Sequence, residues 1–147
     1  MNKVDVLQIG QHSMWFDPET KFHHIIHVGV MNGVEMKTVA DWTADTQRKY
    51  HPDEPPFQLV DNRSSTGFTS DARPALANHP LARTEVYAAM FGASLVVRTF
   101  INLIYRGLAL ATRSKSITKA FVTEADARTW LSEQQGVIRR RRAGSVA

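Results

Sequence analysis

Cysteine is absent from the 147-residue chain, so disulfides, thiolate zinc sites and a thiol nucleophile are excluded, and a reducing compartment is permitted. A membrane-spanning run is missing too. The most apolar stretch, Ser94 to about Leu110, carries Arg98 and Arg106 in its interior, and each would cost about 2.5 to 3.5 kcal/mol at the bilayer centre. Met1 to Gly10 has Lys3 and Asp5 within an alternating pattern and lacks the apolar centre and cleavage site of a signal peptide. A cytoplasmic location is therefore expected. Catalytic patterns are also lacking: no Ser, His and acid can be ordered into a triad, and Asp17, Glu35, Asp61 and Asp71 fall on separate elements with no spacing that pairs them. Neither an enzyme nor a cofactor is expected.

One charge of the other kind is concentrated. The net charge of +4 is supplied by Arg139, Arg140, Arg141 and Arg142, and the remainder balances at 14 basic and 14 acidic residues. The body thus has no electrostatic footprint for nucleic acid. Like charges at a terminus are usually solvated, so residues 135–147 are expected to be a basic, disordered tail behind a single domain at 1–134. A chain of this size buries roughly 68% of its unfolded surface, enough for a core without staples.

Local patterns place the elements. Val4 to Ile9, Ser13 to Phe16 and Phe22 to Val30 read as three strands close enough to form an antiparallel meander. Asn32 and Glu35 stand at capping-box spacing, and Met36, Val39, Ala40, Thr43 and Tyr50 recur as on a helix, which His51-Pro52 ends. Phe57 to Asp61 is a short strand followed by a polar loop from Asn62 to Thr69. Ser70 is expected to cap a short helix containing Pro74, Thr84 to Phe91 is a strand, and Gly92 is the break before the long helix. Ser116 to Leu131 is a strand turning into a helix that Thr123 caps, with Asp126 three residues on.

The order of elements joins Gly33-Val34-Glu35-Met36, Leu59-Val60-Asp61, Asn78-His79-Pro80-Leu81-Ala82 and Ala120 to Leu131. Together these resemble the stand-alone SpoIIAA-like proteins, relatives of the STAS domains of anti-sigma-factor antagonists and sulfate transporters. The resemblance covers about residues 4 to 134. It implies an α/β fold, a SpoIIAA-like mixed sheet of four to five or more strands flanked by about four helices, here opening with a β-meander. It also implies a non-enzymatic regulatory domain that binds a protein partner or itself, or alternatively a carrier of an apolar small molecule or lipid, the use Sec14 domains make of this architecture. The antagonists accept phosphate on a serine after a central strand, in a pattern near Asp-Ser-Ser-Gly; the comparable place here reads Asp61-Asn62-Arg63-Ser64-Ser65-Thr66-Gly67.

Two candidate sites follow. Arg63, Ser64, Ser65, Gly67 and Ser70 could form a phosphoacceptor or anion-binding loop beyond a strand's carboxyl end, although turns and caps use the same residue types. Val97, Phe100, Ile101 and Ile104 could line an apolar pocket or a homodimer face, because the apolar arc of the long helix is wider than one sheet surface requires. His23, His24 and His27 do not read as a metal site: on a strand, residues 23 and 27 stand about 13 Å apart. They are expected as polar histidines on the sheet surface. Trp42, beside the Val39 face of its helix, reads as a half-buried packing residue.

Overall fold

The computed structural model describes residues 2–112 and 115–146; the side chains at 100, 104, 108, 109, 111, 112, 145 and 146 are outside that description. The elements are β1 (Val4–Ile9), β2 (His12–Asp17), β3 (Phe22–Met31), α1 (Gly33–Tyr50), β4 (Phe57–Phe68), α2 (Ala72–Ala77), a 3-10 turn (Pro80–Arg83), β5 (Tyr87–Phe91), α3 (Leu95–Thr112), β6 (Ile117–Phe121) and α4 (Glu124–Val146). They build a mixed α/β fold with one six-stranded sheet in the order β1-β2-β3-β4-β5-β6.

The opening meander is antiparallel, with Trp15 opposite His24 and Phe16 opposite His23. From β3 onward every pairing is parallel: Leu59 lies beside His24, Ala89 beside Leu59, and Lys119 beside Ala89. Each parallel step needs a helical crossover, and successive steps in one direction put those crossovers on one face. That face carries the first core: Met36, Val39 and Trp42 of α1, Ala72 of α2, and Val97 and Ile101 of α3 pack on Met14, Ile25, Val60 and Met90. Among the described residues one helix packs on the other face, with Ala127, Leu131 and Ile138 of α4 on Phe22, Phe57, Leu59, Tyr87 and Phe91.

The helix starts follow their caps. Asn32 Oδ1 accepts from the Glu35 amide at 2.8 Å and Glu35 Oε1 accepts from the Asn32 amide at 2.9 Å, a complete capping box. Thr123 Oγ1 accepts from the Asp126 amide at 3.2 Å and opens α4. Trp42 is buried, and its indole donates to the Asp5 carbonyl at 2.9 Å.

Three expectations are corrected. The segment from Asn62 is strand rather than loop: β4 continues to Phe68, because Ser64, Ser65, Gly67 and Phe68 pair with Val28 to Met31 across bulges. The histidines are not on an open surface. His23, His24 and His27 are buried because β3 is an interior strand with helices over both faces; His23 meets Trp42 edge-on and His24 stacks on Trp15. Residues 135–146 are not a disordered tail: α4 runs through them, Ile138 is buried, and Arg139 and Arg141 pair with Glu54 and Glu85.

Two boundaries also shift. The short helix begins after Asp71 instead of after Ser70, with no side-chain cap, and β5 starts only at Tyr87, after the 3-10 turn. Among the described residues no helix is long and apolar enough to cross a membrane.

Candidate functional site

Small side chains on the last two strands leave room that the helices do not fill. Ala88 and Met90 of β5 and Ala120 of β6 form part of a floor completed by Ile25 and Val60, while Met36, Val39 and Ala40 of α1 and Leu76 and Leu81 close it from above. The result is a cavity of about 500 Å³ between the sheet and α1, α2 and α3. Its size falls within the range of small-ligand pockets, and its lining is mostly apolar with a few polar groups.

Those polar groups sit at opposite ends. Asn102 and Arg106 on α3 line the cavity yet are exposed, so they mark its mouth, whereas the Lys119 side chain lies over the Phe121 ring on the other side of β6. Deep inside, on β3 and β4, lie His27 and Asn62, both buried. His27 Nδ1 stands 3.2 Å from Asn62 Oδ1. Burial, with His12 acting the same way, holds the His27 imidazole at about 4 despite the Asn62 bond, so it is neutral near pH 7. With the amide oxygen facing the ring, Nδ1 carries the proton and donates. Asn62 Nδ2 is then a buried donor with no partner among the described residues, a state that costs free energy until an acceptor arrives. Gln58, also on the wall, is already used: its Nε2 donates to Thr43 Oγ1 at 3.0 Å.

Tyr105 enters from α3 beside Leu76 and Phe68. Its phenol is pushed up to about 12 by burial and stays protonated.

The expected residues divide unevenly over this geometry. Val97 and Ile101 are buried in the first core and do not line the cavity; the side chains of Phe100 and Ile104 lie outside the described residues. From α3 it is Asn102, Tyr105 and Arg106 that face the space. Arg98, Asn102 and Arg106 recur at every fourth residue, and that spacing carries the signal for the two polar ones.

The other candidate set is not gathered into a site. Arg63 is engaged by Asp61 through contacts of 3.0 and 2.7 Å and lies over the Phe91 ring. Ser64 is exposed in mid-strand, Ser65 Oγ is buried without a partner, Gly67 occupies a bulge and Ser70 stands past the strand end. On an extended strand such residues are strung out at about 3.3 Å each. Among the described residues no three His, Cys, Asp or Glu side chains converge to hold a metal ion.

Comparison of the chain with protein-family models, with curated proteins and with solved structures finds no match in any of the three.

Proposed function

We propose that this protein is a non-enzymatic, cytoplasmic SpoIIAA-like domain that binds a small, largely apolar molecule beneath α3. The observation that carries the reading is the cavity of about 500 Å³, apolar along its length, with an unpartnered amide donor, Asn62 Nδ2, at its inner end. A ligand with a carbonyl or ether oxygen at its leading end would satisfy that donor, and its apolar body would cover Ile25, Val60 and Met90. Support for the SpoIIAA-like assignment comes from the strand order: after the meander, each strand-helix unit steps one place along the sheet in the same direction. The reading as a partner-binding switch has less support, because Ser65 Oγ is sealed from solvent and Ser64 sits within β4.

Native mass spectrometry of the protein purified from its own host tests the proposal. A bound mass of small-molecule size is expected. Ala88→Leu, which fills the floor of the cavity, should remove that mass while leaving the far-ultraviolet circular dichroism unchanged. A bare protein mass, together with no binding of medium-chain amides, esters or fatty acids in titration, would overturn it.

A further inference from the structure

The long helix over the cavity is apolar on two sides. Val97 and Ile101 turn inward and are buried, whereas Leu95, Val96, Leu103 and Leu110 are 71, 79, 66 and 85% exposed. Val96, Leu103 and Leu110 recur at every seventh residue, which at about 100° per residue keeps them in one narrow stripe along the outer side of α3. That stripe has no covering element among the described residues.

The chain segment that carries it holds charge of one sign, with Glu85, just before that segment, facing Lys115. Between Glu85 and Glu124 the chain has no acidic residue, against Arg98, Arg106, Arg113, Lys115 and Lys119. Arg106 is exposed at the edge of the stripe, while Lys119 lies over Phe121 on the α4 side of the sheet. From α2, Arg73 lies close alongside: a Cβ added at Gly107 would meet its Nη2 at 3.2 Å.

A second copy packed stripe to stripe would set these cations against their own kind, which is unfavourable. An anionic bilayer surface fits better, because it offers acyl chains for the leucines and phosphates for the cations within one layer. Helices that lie in this interface have an apolar face flanked by Lys and Arg and need not span the membrane.

We propose that α3 is a membrane-surface helix: Val96, Leu103 and Leu110 insert among the acyl chains of an anionic bilayer while Arg73 and Arg106 meet its headgroups. The proposal stands whether or not the cavity holds a ligand. If the cavity does, its mouth at Arg106 opens beside the lipid.

Co-sedimentation of the full chain with vesicles tests it, using phosphatidylcholine alone and phosphatidylcholine mixed with phosphatidylglycerol. Binding is expected on the mixed vesicles, should be weak on the neutral ones, and should weaken with salt. Leu103→Asp combined with Leu110→Asp should abolish it. Arg73→Gln combined with Arg106→Gln should weaken it about tenfold. Arg140→Gln on α4 should leave it unchanged, which separates α3 from the arginine run. Each substituted position is exposed, and circular dichroism verifies the fold. The proposal is overturned if no vesicle binds, or if binding survives the double leucine substitution. It is likewise overturned if vesicles stay unbound while Leu103→Asp splits a dimer in light scattering or releases an acidic protein partner.

Discussion

Gln135 Nε2 donates to the Thr20 carbonyl at 2.8 Å, joining the second half of the last helix to the turn between β2 and β3. Ile138, one turn further, is 1% exposed against the core that contains Phe57 and Tyr87. Ile138→Ala should therefore cost about 2 to 4 kcal/mol in denaturant unfolding, the range for emptying a buried aliphatic site. Arg140→Ala, on the exposed side of the same turn, should stay within about 0.5 kcal/mol. Equal, small effects from both would mean that residues 135–146 do not pack.

Gly33→Ala should destabilise the protein, although in a free helix that exchange is favourable by roughly 0.5 to 1 kcal/mol. A Cβ at residue 33 would stand 2.8 Å from both the carbonyl oxygen and a carboxylate oxygen of Asp71, whose other oxygen accepts from the Gly33 amide at 3.1 Å. Moving Asp71 away gives up that bond and shifts the start of α2. We expect a net loss of about 1 to 2 kcal/mol, the scale of mild overpacking. A raised melting temperature would refute the close approach.

Acid should weaken the fold well above the carboxylate range. Burial holds His23 at about 3, with His24 and His51 pushing the same way, and burial, followed by Arg128, holds His24 at about 4; His27 is likewise near 4. Each folded value lies below the ordinary 6.5. Between those limits the unfolded chain binds more protons than the folded one, so stability falls as pH drops through the window. The combined loss is on the order of several kcal/mol by about pH 4. Guanidine midpoints measured from neutral pH down to about pH 5 should decline steadily, and His23→Leu should flatten part of the slope. A level profile over that range would count against the buried, neutral histidines.

Ala88→Leu should make the unliganded protein more stable by about 1 kcal/mol, the usual gain from filling a void, since its added methyl groups enter the cavity. The melting temperature should rise, and the further rise that a ligand gives to the original chain should vanish. Destabilisation instead would show that Met90 and Val60 already close over Ala88.

Much of the fold was legible because it rests on local chemistry. The capping box at Asn32 and Glu35 and the cap at Thr123 depend only on side chains satisfying nearby amides, and the meander on short runs of apolar residues. Asn62 to Phe68 misled for a physical reason: Asn, Ser, Thr and Gly suit a turn, and only pairing with Val28 to Met31, far away in sequence, makes them a strand. The ordered end of α4 left a fainter mark, Leu131 and Ile138 at seven-residue spacing ahead of four arginines. Overall neutrality of the body likewise hid the acid-free stretch between Glu85 and Glu124. The cavity itself was illegible, because a void depends on how Ala88 and Ala120 meet the helices in space.

That one helix, α4, shields the aromatic side of β4, β5 and β6 has a bearing on synthesis. Phe22, Phe57, Leu59 and Tyr87 are all in place on their strands before Ala127, Leu131 and Ile138 exist to shield them. Once β3, β4 and β5 have formed, a nascent chain therefore presents an aromatic surface until α4 follows, and an exposed surface of this kind recruits chaperones or neighbouring chains. Completion of α4 ends that exposure in one step, so the rate at which the last helix emerges and docks sets how long the newborn protein is vulnerable to aggregation.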